Sequence, residues 1–230
     1  MKIQQALLAE SLGTFFLCFA GIAAILSSTP AVGSGAGIVG IALAHGLALS
    51  IAVNAFGGIS GAHFNPAVSA GFLVTGRLPP SWFVPYIIVQ LAGATVSAAV
   101  CRALFLPDAV MQAQLGIPLP AAWASTSAVL LGEFIMTFLL MTAIIGTAVD
   151  ERGKAVKIGG FGVGLTVAFD ILAGGAVTGA SMNPARSFGP ALVQGNWLLH
   201  WAYWVAPLTG ACVAALLYEK VLLTEQPKRP

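Results

Sequence analysis

The sequence predicts an all-α membrane protein in which six transmembrane helices and two re-entrant half-helices form an inverted three-span repeat. Three observations carry that expectation. Of 230 residues, 58% are hydrophobic and only 8% charged, where a water-soluble domain carries about a quarter charged. Apolar runs long enough to cross a bilayer, which takes roughly 20 residues each, recur six times. An Asn-Pro-Ala triplet stands after the second run and again after the fifth.

The same composition excludes other classes of function. Ten Lys and Arg against eight Asp and Glu leave a net charge of +2, and no basic block marks a nucleic-acid footprint. Cys18, Cys101 and Cys212 lie singly in apolar segments, without the spacing of a zinc or redox site, and read as packing residues. No enzyme constellation, metal or cofactor is expected. The spans leave little room for a separate extramembrane domain, so residues 1–230 read as one domain, with repeat one at about 1–118 and repeat two at about 124–230.

Taken in order, the spans fall at about 4–27, 36–57, 82–105, 126–148, 158–176 and 199–222. The first reads as an uncleaved span, because its apolar stretch from Ala6 to Ile25 exceeds the core of a secretory signal and contains Glu10. Between spans two and three lies HFNPAVSAGFLV, and between five and six SMNPARSFGPALV. Both are too short to cross and read as half-helices. Lys2, Arg77, Arg152, Lys154, Lys157, Lys220, Lys228 and Arg229 gather on one side, against Arg102 and Arg186 on the other. The positive-inside rule then places both termini in the cytoplasm, in a plasma or inner membrane. Connections 28–35 and 106–125, with Asp108 their one charge, face outward. All five tryptophans (Trp82, Trp123, Trp197, Trp201 and Trp204) fall near span ends, where indole suits the interface.

Glu10, Thr14 and Phe15 of span one recur as Glu133, Thr137 and Phe138 of span four, and Asn65-Pro66-Ala67 recurs as Asn183-Pro184-Ala185. Three spans per half is an odd number, so the second copy inserts upside down and the short segments enter from opposite faces. Asn is a favoured N-cap and Pro a favoured first helical residue, so each triplet opens a helix. Two positive helix ends facing each other at the midplane oppose cations. Each Asn oxygen caps its helix, which leaves the amide NH₂ free to donate to a passing water. The combination implies a path for neutral hydrogen-bonding molecules that resists hydronium and metal ions.

With HFNPAV at His63–Val68, MNPARSFGP at Met182–Pro190 and the paired E-x-x-x-T-F of spans one and four, the chain resembles the aquaporin family, or major intrinsic proteins, over nearly its whole length. The resemblance implies six spans plus two half-helices, a homotetramer with one pore per subunit, and Glu10 and Glu133 as buried acceptors for the half-helix loops. It also implies a constriction formed by His45, Ile171, Ala180 and Arg186. Water-selective members typically have Phe and His where this chain has His45 and Ile171. The His-Ile-Ala-Arg set looks like that of plant tonoplast intrinsic proteins and of the eighth mammalian aquaporin, which pass water with varying amounts of ammonia, urea and hydrogen peroxide. Glycerol facilitators usually have Asp where this chain has Ser187, so glycerol is a weaker candidate. A glycerol or metalloid facilitator is the alternative, and a coupled transporter the remoter one, since inverted repeats with broken helices also build transporters.

Arg186 is permanently charged and rich in donors, suited to repel cations at a narrow point. Ile171 and Ala180 leave the opening wider and less polar than an added imidazole would. His45 reads either as a pore residue or as a packing histidine bonded to a carbonyl. His63 is expected to brace the first half-helix or line the cytoplasmic vestibule. Asp170, one residue before Ile171 and turned from it by about 100°, is expected to give support through a bond to His45 or a loop amide.

Overall fold

The computed structural model describes residues 2–33 and 35–223; Lys228 and Arg229, counted above toward the cytoplasmic side, lie outside the described residues. The long helices are α1 (Ile3–Ser27), α2 (Gly37–Ser60), α4 (Pro80–Leu104), α6 (Thr126–Ile144), α8 (Gly159–Thr178) and α10 (Ala202–Leu217). With π-helical turns extending α6 to Val149 and α10 to Leu222, these six are long and apolar enough to cross a membrane. No strand occurs among the described residues. Large apolar side chains such as Leu47, Ile88, Leu131 and Leu165 stand exposed on the outside, while Glu10, Glu133, Asn65 and Asn183 are buried. That inversion of the soluble pattern is what a hydrocarbon surround demands.

The short helices are α3 (Pro66–Val74) and α9 (Pro184–Gln194). Each docks against the last long helix of the other half, α3 on α10 and α9 on α4. The small residues of the spans explain how closely the rods approach. A Cβ on Gly164 would lie 2.1 Å from the Gly46 carbonyl oxygen where α8 crosses α2, and one on Gly93 would lie 2.3 Å from the Ser11 oxygen where α4 crosses α1. Glycine at these crossings lets backbones meet without a side chain between them.

Several boundaries differ from the sequence expectation. Helix α2 runs on to Ser60 and ends only where Gly61 adopts a left-handed φ of 87°, a conformation glycine takes without steric penalty. The last span starts at Ala202 rather than 199, because residues 198–201 form turns. Connection 106–125 folds into α5 (Pro107–Gln112) and a 3₁₀ turn at Gln114–Gly116, and α7 (Glu151–Lys154) caps the loop between α6 and α8. That loop is fastened to α10: Arg152 pairs with Asp150 and donates to the Leu222 carbonyl at 2.7 Å, and the Tyr218 hydroxyl donates to Asp150 at 3.1 Å. The Arg152 guanidinium holds the Asp150 carboxyl well below the usual carboxylate range.

Candidate functional site

Each triplet opens its helix as the cap rules require. Asn65 and Asn183 are N-caps in extended backbone, with Pro66 and Pro184 in the first turn. The Asn65 side-chain oxygen accepts from Ala67 N–H at 2.8 Å; the Asn183 oxygen accepts from Ala185 and Arg186 N–H at 2.9 and 3.3 Å. The two caps also clasp the halves together. Asn65 Nδ2 donates to the Met182 carbonyl at 2.8 Å, and Asn183 Nδ2 to the Phe64 carbonyl at 2.9 Å. This corrects the expectation of wholly free amides. One N–H of each NH₂ is spent on the opposite loop, and one remains for the path.

The loops leading into the caps are bent hard, with positive φ at Ala62 and Phe64 (52° and 50°) and at Ala180 and Met182 (44° and 54°). Such residues each cost roughly 1–2 kcal/mol, and two buried carboxyls hold them in place. Glu10 accepts from the Ser60 hydroxyl, His63 N–H, Phe64 N–H and Gln90 Nε2 at 2.6, 2.9, 2.6 and 2.8 Å. Glu133 accepts from the Thr178 hydroxyl, Ser181 N–H and Met182 N–H at 2.7, 2.9 and 2.7 Å. Tyr86 and Tyr203 donate to the carbonyls of Ser60 and Thr178 at 2.8 and 2.6 Å. The sequence reading missed Ser60, Thr178, Tyr86, Tyr203 and Gln90. The first four are paired between the halves, so aligning the repeats residue by residue would have exposed them.

Along the axis a central cavity of about 30 Å³ touches Asn65, Asn183, His45, His63, Ala180 and Arg186. At roughly 10–15 Å³ per water it holds a short single file. A vestibule of about 500 Å³, on the side expected to be cytoplasmic and so called inner, shares His63 and Ile144 with it and is ringed by Arg77, Lys154 and Lys157. A vestibule of about 390 Å³, called outer, is bordered by Ile41, Gln114, Gly116, Ile171 and Gly179. Ile171 therefore faces the outer vestibule, while His45, Ala180 and Arg186 face the central cavity.

Arg186 is buried and donates from Nη1 to the Gly116 carbonyl at 2.7 Å. His45 borders the central cavity and is also bonded to a backbone carbonyl. Its Nδ1 lies 2.8 Å from the Ile41 carbonyl oxygen, which can only accept, so Nδ1 carries a proton. The Nε2 edge lies over Gly21, where a Cβ would stand 2.0 Å away. Both Asp170 oxygens are buried without a partner among the described residues, which corrects the expected bond to His45 or a loop amide. Asp170 sits one turn before Gly174, whose Cβ direction meets Met136 of α6, so it faces away from His45. The loop amides of Ser181 and Met182 are already taken by Glu133. No group of three or more His, Cys, Asp or Glu suited to a metal occurs among the described residues.

Comparison with known proteins decides the family. A family model for the major intrinsic proteins matches residues 1–218. The chain belongs to the major intrinsic protein family. Aquaporin TIP4-4 of Zea mays is 39% identical over 98% of this chain and 90% of its own length. Aquaporin NIP1-2 of Arabidopsis thaliana is 42% identical over 98% and 76%, and nodulin-26 of Glycine max 40% identical over 97% and 80%. The X-ray structure of the aquaglyceroporin from Plasmodium falciparum superposes with a TM-score of 0.83 at 24% identity, covering 96% of this chain and 97% of that one, a likeness of fold. This aquaporin is thus a multi-pass membrane channel for water and small solutes.

Proposed function

We propose that this aquaporin conducts water, ammonia and urea, with hydrogen peroxide a further solute and glycerol a poorer one, and that it opposes protons and metal cations. One observation carries the reading: two half-helix N-termini and two Asn amides meet beside a cavity with room for about two or three waters in file. A water there offers its oxygen to the remaining N–H of Asn65 and of Asn183, and the two positive helix ends disfavour a cation between them. His45, Ile171, Ala180 and Arg186 form the selective neck between outer vestibule and central cavity. Arg186 repels cations and binds acceptor oxygens there, and Ile171 and Ala180 leave room for a solute larger than water.

Glu10 and Glu133 hold the loops that aim the two Asn residues, and Pro66, Ala67, Pro184 and Ala185 start the half-helices. The domain is one inverted repeat with halves at about 1–118 and 124–230. The reading extends to a homotetramer with a pore in each subunit, in a cell membrane with both termini cytoplasmic. Osmotic shrinkage of proteoliposomes tests it, with ammonia, urea and glycerol run as parallel solutes. Fast, non-saturating water flux with no proton or sodium gradient is expected. Dependence on such a gradient, or proton leakage as fast as water flux, overturns it.

A further inference from the structure

His63 stands where the central cavity opens into the inner vestibule and borders both. Its ring stacks on Phe72, with centroids 4.6 Å apart, and meets Tyr86 edge-on at 5.3 Å, which fixes its plane. Nδ1 lies 3.1 Å from the Ser69 hydroxyl oxygen. The opposite edge borders the vestibule beside Gly61, where a Cβ would lie 3.4 Å from Nε2, and Nε2 has no protein partner among the described residues. Which nitrogen carries the proton therefore depends on whether Ser69 donates to the ring or accepts from it.

The surroundings answer that question link by link. Oxygen Oε2 of Glu10 accepts from Phe64 N–H and from Gln90 Nε2. Turning the Gln90 amide over would set its oxygen against this acceptor, so Gln90 presents its NH₂ even though its own carbonyl oxygen is left buried and unpartnered. The same NH₂ donates to Ser69 Oγ at 3.1 Å. Ser69 is thereby made an acceptor toward Gln90, and its hydroxyl proton has one remaining partner within reach, His63 Nδ1. The second half of the molecule supplies the contrast: Ser187, at the place equivalent to Ser69, donates back to the Pro184 carbonyl at 3.0 Å, with Pro207 where Gln90 stands and Ser181 where His63 stands.

We propose that Glu10, through Gln90 and Ser69, holds His63 in the tautomer with its proton on Nε2, so that the ring presents a fixed N–H donor to the path at its inner end. A solute leaving the central cavity must then offer a lone pair a second time. Water, ammonia and carbonyl oxygens accept readily; ammonium has no lone pair, and the lone pair of the positively charged hydronium oxygen is a very poor acceptor. Glu10, Gln90 and Ser69 are positioning residues, and His63 is the residue that meets the solute. This assignment rests on the conducting path proposed above.

Nitrogen-15 magnetic resonance of the reconstituted full-length protein, labelled at its three histidines, reads the tautomer directly, with His63→Gln identifying the signal. Wild-type protein is expected to carry the proton on Nε2. In Glu10→Gln the new amide is expected to turn Gln90 over, make Ser69 donate to the Gln90 carbonyl oxygen, and move the His63 proton to Nδ1. Ser69→Ala leaves Nδ1 without a partner and is expected to give a mixture. Ammonium conductance relative to water flux rises about fivefold in Glu10→Gln, the equivalent of one ordinary hydrogen bond. A wild-type proton on Nδ1 overturns the proposal; so does an unchanged tautomer in a folded Glu10→Gln protein, or an unchanged ammonium-to-water ratio. Wild-type vesicles that pass no water would instead overturn the channel reading, whatever the spectrum shows.

Discussion

Glu133→Gln is the substitution whose effect follows most directly from the geometry. With its amide oxygen toward the Thr178 hydroxyl and Ser181 N–H, the new NH₂ points at Met182 N–H, donor against donor. A buried N–H left without an acceptor costs about 1–3 kcal/mol, and the two surviving bonds weaken from about 1.5–3 to about 0.5–1.5 kcal/mol each as the acceptor loses its charge. The sum is about 3–6 kcal/mol, in a loop where Ala180 and Met182 already hold positive φ. For a chain of this length about 1 kcal/mol moves a thermal midpoint by roughly 2–4 °C, so a fall of about 10 °C is expected.

Glu10→Gln makes the comparison informative. Glu10 has one more donor than Glu133, so a simple count of bonds makes its loss the worse of the two. But Gln90 can turn its unpartnered oxygen toward the new NH₂ and recover one bond, and in the second half Pro207 can do nothing of the kind. Phe64 N–H, on the same carboxyl oxygen as Gln90, is still left facing the new NH₂ as Met182 N–H is in the other half, so Glu10→Gln is expected to cost about as much as Glu133→Gln and no more. Thermal unfolding of the purified variants in one detergent checks the order, with water flux measured in parallel. A midpoint for Glu10→Gln well below that of Glu133→Gln refutes the reasoning.

Gly21→Ala would place a Cβ 2.0 Å from His45 Nε2; overpacking of this kind costs about 1–3 kcal/mol. Its water flux should fall about tenfold against Gly58→Ala, where nothing lies within 4 Å. Ile171→His is expected to reduce urea and ammonia passage more than water passage in parallel vesicle assays, and equal loss for all solutes would contradict the proposed neck. Cys18 and Cys101 are buried, and none of the three cysteines borders the central cavity or its vestibules among the described residues, so mercurials should inhibit weakly and Ala180→Cys should make inhibition strong. The depressed Asp150 pKa means its latch to Arg152 is fully present above the unfolded value of about 3.9 and is lost only as pH falls through the still lower folded value. Proteolysis of loop 150–158 should therefore stay slow from pH 8 down to about 5 in wild type, and be faster throughout that range in Asp150→Asn.

The lipid-facing architecture was legible because the hydrocarbon leaves little choice: helices must be long, apolar and closed on their own hydrogen bonds. The half-helices were legible because Asn-Pro is a helix start wherever it stands. What the chain did not disclose were the consequences of bringing the halves together. Nothing in the triplet says that half of each Asn amide is committed to the other loop. Asp170 looked like a support residue because it neighbours Ile171 in sequence, yet the helical turn directs it to the α6 side, where no donor waits; nothing in the structure explains a carboxyl there. Gln90 gave a signal that went unread, a lone amide in an apolar span, the kind of residue that needs a partner in lipid.

The two halves repeat their scaffold and differ in what fills it. Both have a carboxyl under the loop, a hydroxyl at the end of the preceding long helix, a tyrosine near the start of the following one, and an Asn-Pro cap, because each of these serves backbone geometry and the backbone is the same in both. The pairs that differ, His63 with Ser181 and Gln90 with Pro207, lie on or just behind the path. A two-fold scaffold with identical fillings would read a solute the same way from either side. Along the proposed path the outer end has Arg186 and a His45 whose proton is committed to a backbone carbonyl, and the inner end has a His63 whose Nε2 edge is open. On the proposed path the difference between the two ends therefore comes from a few exchanged side chains, and swapping them between halves, rather than altering the anchors, is the change expected to alter selectivity without unfolding the loops.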